Sequence, residues 1–164
     1  MQGTGSKNVS VKASIVPEHR MLTLPEANGG AEARQRTGGD AETRPLYRLP
    51  HLPTVPFLFT ATGLGIAESL LGQSIDHIAG AQSQGKRIAE YPTMQMHIAE
   101  AAAEIDAARL VVMRDCASSM AAMGEHKPLT VMERAGNRRG HAYASRLCQG
   151  AVDRLFAAAG AKGL

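Results

Sequence analysis

The sequence predicts a mainly α protein: an up-down bundle of three long helices behind a short N-terminal β remnant. Three observations carry that prediction. From Pro92 to Met123, apolar Met94, Ile98, Ala101, Ile105, Ala108, Val112, Cys116, Met120 and Met123 recur at steps of three and four. That spacing draws one stripe along one helix face. Hydrophobic residues make up 44% of the chain but aromatics only 4%, with no Trp, so packing falls to small and unbranched side chains. Prolines and glycines fall where such helices would start and stop, at Pro92, Gly124, Pro128 and Gly160. A helix of about 30 residues is a rod of about 45 Å, which needs partners of similar length to cover its stripe.

In chain order, Val9, Val11, Ala13 and Ile15 alternate with Ser10, Lys12 and Ser14. This period of two predicts a strand with one buried face, ended by Pro17. Residues 25–53 hold two Gly-Gly pairs and four prolines without a periodic face, and are assigned to a linker loop. A first long helix is expected over 54–84, with Phe57, Ala61, Leu64, Leu71, Ile75 and Ile78 in its stripe. Gly85 should close it, and Lys86-Arg87 should complement its C-terminal dipole. Gly63, Gly65 and Gly72 each cost about 1 kcal/mol inside a helix, which a close neighbouring backbone or a flat ligand would explain. A third long helix is expected over roughly 129–159, with Ala144, Cys148, Ala151, Leu155 and Ala158 as its seam.

The totals exclude several classes. No apolar run approaches the roughly 18 residues of a membrane span, and no signal-peptide pattern opens the chain. Cys116 and Cys148 lie far apart in helical patterns and read as reduced thiols, so the expected setting is the cytoplasm. The formal charge of +3 is mild, although residues 127–164 hold seven Lys or Arg against two Asp or Glu. That basic face lacks the interleaved aromatics of a single-strand nucleic-acid binder. His97-x-x-Glu100 puts two ligand types on one face but has no second set to complete a di-metal centre, so no metal site is predicted. His141, beside Arg138 and Arg139, reads as a bundle-edge residue that could meet an anion.

Four blocks in order carry a family resemblance: GTGSKNV, VPEHR, RIAEYPTMQMHIAEAAAEIDAARL and RRGHAYASRLCQGAVDRLFAAAGAKGL. Together they resemble the acyl-CoA dehydrogenase superfamily, within it the flavin-dependent monooxygenase branch. The resemblance implies that residues 1–24 end a middle β-domain. Residues 54–164 would then be a C-terminal helical bundle lacking its last helix, and the chain a fragment. It further implies that Arg87 reaches the flavin phosphates of a neighbouring subunit and that Gln95 is the glutamine that follows it. The spacing between the two is shorter here, and the family's Phe-Gly pair is absent. Ala158, Ala159, Gly160 and Ala161 stand where a small-residue segment approaches the cofactor phosphate; no catalytic residue carries over.

The function implied for the complete protein is a two-component monooxygenase. It would use reduced FMN or FAD and O₂ to hydroxylate an aromatic or heteroatom substrate. Its partners would be the flavin, a small aromatic molecule, a separate flavin reductase and three further copies in a homotetramer. Two alternatives stay open: an acyl-CoA dehydrogenase acting on CH–CH groups, and a non-catalytic helical remnant that only oligomerises.

Overall fold

The computed structural model describes residues 7–28 and 44–159. A one-turn helix α1 (Leu24–Ala27) precedes three long ones, α2 (His51–Gly80), α3 (Pro92–Gly124) and α4 (Val131–Ala159). A two-residue hairpin, β1 (Gln82–Ser83) with β2 (Lys86–Arg87), and a 3-10 turn (Ile88–Glu90) join α2 to α3. Glu104 of α3 faces Gly150 of α4, while Asp115 faces Gly140, so these two helices run antiparallel. Phe57 meets His141, and Leu70 to Ile78 share a pocket with Leu155 and Ala159, so α2 runs parallel to α4. The three-helix, up-down-up arrangement expected from the sequence is therefore present.

The core gathers Leu64 and Ala67 of α2, Ala101, Ile105, Ala108 and Val112 of α3, and Ala144, Cys148, Ala151 and Leu155 of α4. Alanine at so many contacts draws helix axes toward the short end of the usual range of roughly 8–10 Å. Each end of α4 is set locally. Thr130 Oγ1 accepts from the Glu133 amide at 3.2 Å, and Glu133 Oε2 accepts from the Thr130 amide at 2.7 Å, a reciprocal cap. Arg154 near the other end donates to Glu104 at 2.9 Å and pairs with Glu100 at 2.6 Å, so one guanidinium spans two turns of α3.

Several expectations need correction. Residues 9–15 form no strand: Val9 is 87% exposed and Ile15 96%, and the hairpin is the only sheet among the described residues. The alternation is there, but no neighbouring strand supplies the ladder. α2 starts three residues earlier and stops four earlier than expected. Pro53 is tolerated in a first turn, and Ala81 turns extended at φ −90°, ψ 146° to enter the hairpin. Gly85 and Lys86-Arg87 therefore belong to the hairpin rather than to a helix end. Gly124 lies inside α3, and the left-handed residue beyond it is His126, at φ 57°. An added Cβ at Gly63, Gly65 or Gly72 would meet nothing within 4 Å, so no backbone among the described residues needs them bare. α2 is also long and apolar enough, by length and composition, to cross a membrane. Here its Leu64 and Ala67 side packs on α3 and α4, while Leu58, Phe59, Ile66 and Ile75 on its other sides are exposed.

The seam between α3 and α4 changes character below Val112. Asp115 and Ser119 replace the expected Cys116 and Met120 as buried residues, facing buried Asn137 and His141. Asn137 Nδ2 donates to Ser119 Oγ at 3.0 Å, and Arg114 donates twice to Asp115 Oδ1, at 2.9 and 2.7 Å. His141 is buried, not at the bundle edge as expected: it is 4% exposed, and Phe57 of α2 meets its ring edge-on at 3.9 Å. Burial holds its pKa below the ordinary histidine value, an effect that the Asp115 charge partly offsets.

Two predictions follow from this seam. Gly140 has no room for a side chain, because an added Cβ would strike the Asp115 carboxylate and lie 3.2 Å from Val111. Gly140→Ala should lower stability by about 1–3 kcal/mol. Gly136→Ala, in open space on the same helix, should be neutral or stabilising by up to about 1 kcal/mol in denaturant titrations. The second concerns pH. Because His141 binds its proton less readily when folded, its contribution is complete above about pH 6.5 and is lost as pH falls below that value. His141→Gln should flatten the slope of stability against pH between about 6.5 and 5; an unchanged slope would assign the acid sensitivity to other groups.

Candidate functional site

One end of the bundle collects the residues singled out by sequence. The C-terminal turns of α2 and α4, the hairpin and the N-terminus of α3 all lie there. Gln84 and Gly85 both take positive φ, 53° and 79°, which closes the hairpin as a two-residue left-handed turn. The turn sets the register Ser83 to Lys86 and Gln82 to Arg87. Arg87 is exposed on β2, and its guanidinium has no hydrogen-bond or ion-pair partner among the described residues. The neighbouring Lys86 is already engaged, its ammonium 5.0 Å from the centre of the Tyr91 ring. Tyr91 in turn donates its hydroxyl to the Ser83 carbonyl at 3.3 Å, bracing the hairpin.

Gln95 sits in the first turn of α3, where its Nε2 donates to the Ala89 carbonyl at 2.9 Å. That bond ties the 3-10 turn to α3 and leaves the amide oxygen as the side chain's unengaged end. Tyr91, the residue before α3, supplies no side-chain cap. Pro92 has no N–H, and the Met94 and Gln95 amides donate to the Tyr91 carbonyl at 3.0 and 3.2 Å, so what this helix end offers an anion is its dipole. Ala158 is buried against the core, and Ala159 lines an open pocket of about 200 Å³. Leu70, Gln73, Ser74, His77, Ile78 and Leu155 complete that pocket. Gly160 and Ala161 lie outside the described residues. The structure thus brings Arg87, Gln95, Ala158 and Ala159 to one end of the bundle.

Sequence reasoning missed Ser74 and His77, which give the pocket its polar edge. The signal was available: the steps 70, 74, 77 and 78 fall on one helix face. It also missed the hairpin, whose Gln-Gly turn was read as a helix end.

The profile described as acyl-CoA dehydrogenase, C-terminal domain, matches residues 57–164, which cover α3, α4 and nearly all of α2. The chain belongs to the acyl-CoA dehydrogenase family. The chain is 33% identical to the oxygenase component of an FADH₂-dependent resorcinol hydroxylase from Rhizobium sp. (strain MTP-10005). That match spans 100% of the chain and 42% of the relative. It is 30% identical to the flavin-dependent monooxygenase oxygenase subunit HsaA of Mycobacterium tuberculosis, over 100% of the chain and 41% of the relative. The crystal structure of the M. tuberculosis HsaA monooxygenase superposes with a TM-score of 0.73 at 27% identity, covering 94% of this chain and 40% of that one. That of 3-HSA hydroxylase from Rhodococcus sp. RHA1 gives 0.78 at 24% identity, covering 93% and 39%, a likeness of fold. The chain spans about two fifths of the length of the curated relatives it matches.

Among the described residues no group of three or more His, Cys, Asp or Glu is placed to hold a metal ion. Cys116 and Cys148 are both free thiols whose pKa burial pushes up, which leaves them protonated and unreactive at neutral pH.

The hairpin geometry yields a prediction. Gly85 alone in the turn is a glycine at positive φ. Gly85→Ala should cost about 1–2 kcal/mol locally. Amide hydrogen exchange at Ser83 and Arg87 should accelerate while the α3–α4 core keeps its protection.

Proposed function

We propose that this chain is the C-terminal part of the oxygenase component of a two-component, flavin-dependent monooxygenase that hydroxylates an aromatic substrate. The observation that carries the reading is the run of relatives aligned along 98–100% of the chain and described as such oxygenases. They include the resorcinol, HsaA and p-hydroxyphenylacetate 3-hydroxylase components. A bound reduced flavin, FMN or FAD, supplies the chemistry that activates O₂. The chain's own residues bind and orient it. The free guanidinium of Arg87 takes a phosphate oxygen, a role that suits a fork of donors held on a short, braced hairpin. The positive end of the α3 dipole adds potential beside it. The pocket edged by Ser74 and His77 receives an adjoining polar part of the ligand, while Leu70, Ile78 and Leu155 exclude water from it.

The reading includes a separate NAD(P)H:flavin reductase as source of reduced flavin, and a homotetramer formed through the bundle. The exposed outer faces of α2 support the tetramer. Leu58, Phe59 and Ile66 project there, and Gly65 and Gly72 leave room for a close neighbour. The dehydrogenase alternative has less support, because it needs a carboxylate base facing the flavin. Glu68 of α2 is instead held by Arg109 of α3.

The test is turnover with a flavin reductase, NADH, flavin and heavy-isotope O₂. Transfer of one heavy oxygen atom to a phenolic substrate supports the proposal. Flavin-dependent oxidation of an acyl thioester without oxygen incorporation would refute it. On the binding side, Arg87→Ala should weaken reduced-flavin affinity about tenfold, equivalent to about 1.4 kcal/mol. Unchanged affinity would remove Arg87 from the site.

A further inference from the structure

We propose that the opposite end of the bundle carries a second binding site, for a small aromatic anion. A cavity of about 500 Å³ opens there between the first turns of α2 and α4, in the size range of small-molecule pockets. It is separated from the hairpin end by about 30 Å along α4. Arg134 and Arg138 line it from α4, one helical turn apart, so their guanidinium groups share a face. Among the described residues neither has a hydrogen-bond or ion-pair partner for its side chain, and none of those lining the cavity is a carboxylate. Pro50, Leu52 and Pro53 line it from the start of α2, and Asn28 adds one polar side chain. Pro50 gives α2 no side-chain cap, so the positive end of α2 adds to the arginines, while the start of α4 is capped by Thr130 and Glu133.

The two walls specify the ligand together. Two unpaired arginines one turn apart suit a planar, multidentate anion such as a carboxylate or sulfonate. Proline rings and a leucine offer a flat, apolar surface, which suits the face of an aromatic ring. A ring of one or two six-membered cycles fits the volume. The site lies apart from Arg87 and the pocket at Ser74 and His77, so it goes beyond the flavin reading and does not depend on it.

The experiment titrates the purified chain with naphthalenesulfonate, followed by calorimetry and by amide chemical shifts. In parallel run neutral naphthol and inorganic sulfate. The expected result is saturable one-to-one binding with shifts at Leu52 and at residues 134–138. Both naphthol and sulfate should bind at least tenfold more weakly. Arg134→Gln/Arg138→Gln should lose at least tenfold in affinity while keeping its helical circular dichroism. Should that variant fold poorly, Leu52→Glu places an anion in the exposed wall and should cause the same loss. Equal binding by naphthol would mean an apolar surface only, and equal binding by sulfate a diffuse charge effect; either overturns the proposal. So would a failure to saturate, or binding that the two variants leave unchanged.

Discussion

The contact on which the structure depends is the alanine-lined approach of α3 to α4. Ala101 and Ala108 face Ala144 and Ala151, all fully inaccessible, and the larger Ile105 and Leu155 fill the spaces between them. Small side chains gain little from burial individually, so the free energy comes from many close contacts along some 40 Å of paired helix. Such a seam tolerates few enlargements. It also explains why the charged anchors sit beside it: Arg154 on Glu100 and Glu104 fixes the register that the featureless alanines do not.

The same seam is polar in its lower third, and that change sets a limit on how the bundle can be rearranged. Asp115, Ser119, Asn137 and His141 are each nine-tenths buried or more. They come from two helices, and the Asn137–Ser119 hydrogen bond between them forms in one register only, whereas the apolar two thirds could slide by a turn at smaller penalty. His141 adds α2 to the arrangement through Phe57. The bundle is thus apolar and adaptable toward the hairpin, and specific toward the connection between α3 and α4.

The legible part of the fold followed the 3.6-residue period. All five expected seam residues of α4 are buried, and α3 begins at Pro92 and ends one residue beyond Met123. What escaped was decided by interactions that periodicity cannot express. Gln84-Gly85 looked like a helix stop until its left-handed pair was seen to close a hairpin. His141 looked like a bundle-edge residue because its burial under Phe57 depends on a different helix. The expected strand at 9–15 had the right alternation and lacked a ladder. At the candidate site, Arg87, Gln95, Ala158 and Ala159 were named from a family resemblance, and their gathering at one end follows from the alternating directions of the three helices. Ser74 and His77 share a helix face with Leu70 and Ile78, but that spacing marks a pocket edge only once the end of α4 is placed beside it.

A flavin-binding end on a bare bundle is the central claim, and a titration of the purified chain with oxidised and reduced FMN and FAD tests it most directly. Calorimetry should give saturable binding with a preference for one reduced flavin, since the free guanidinium, the positive end of α3 and the adjoining pocket are already in position. Heat indistinguishable from dilution for all four ligands at high concentration would contradict it, and would leave the bundle without a cofactor site of its own.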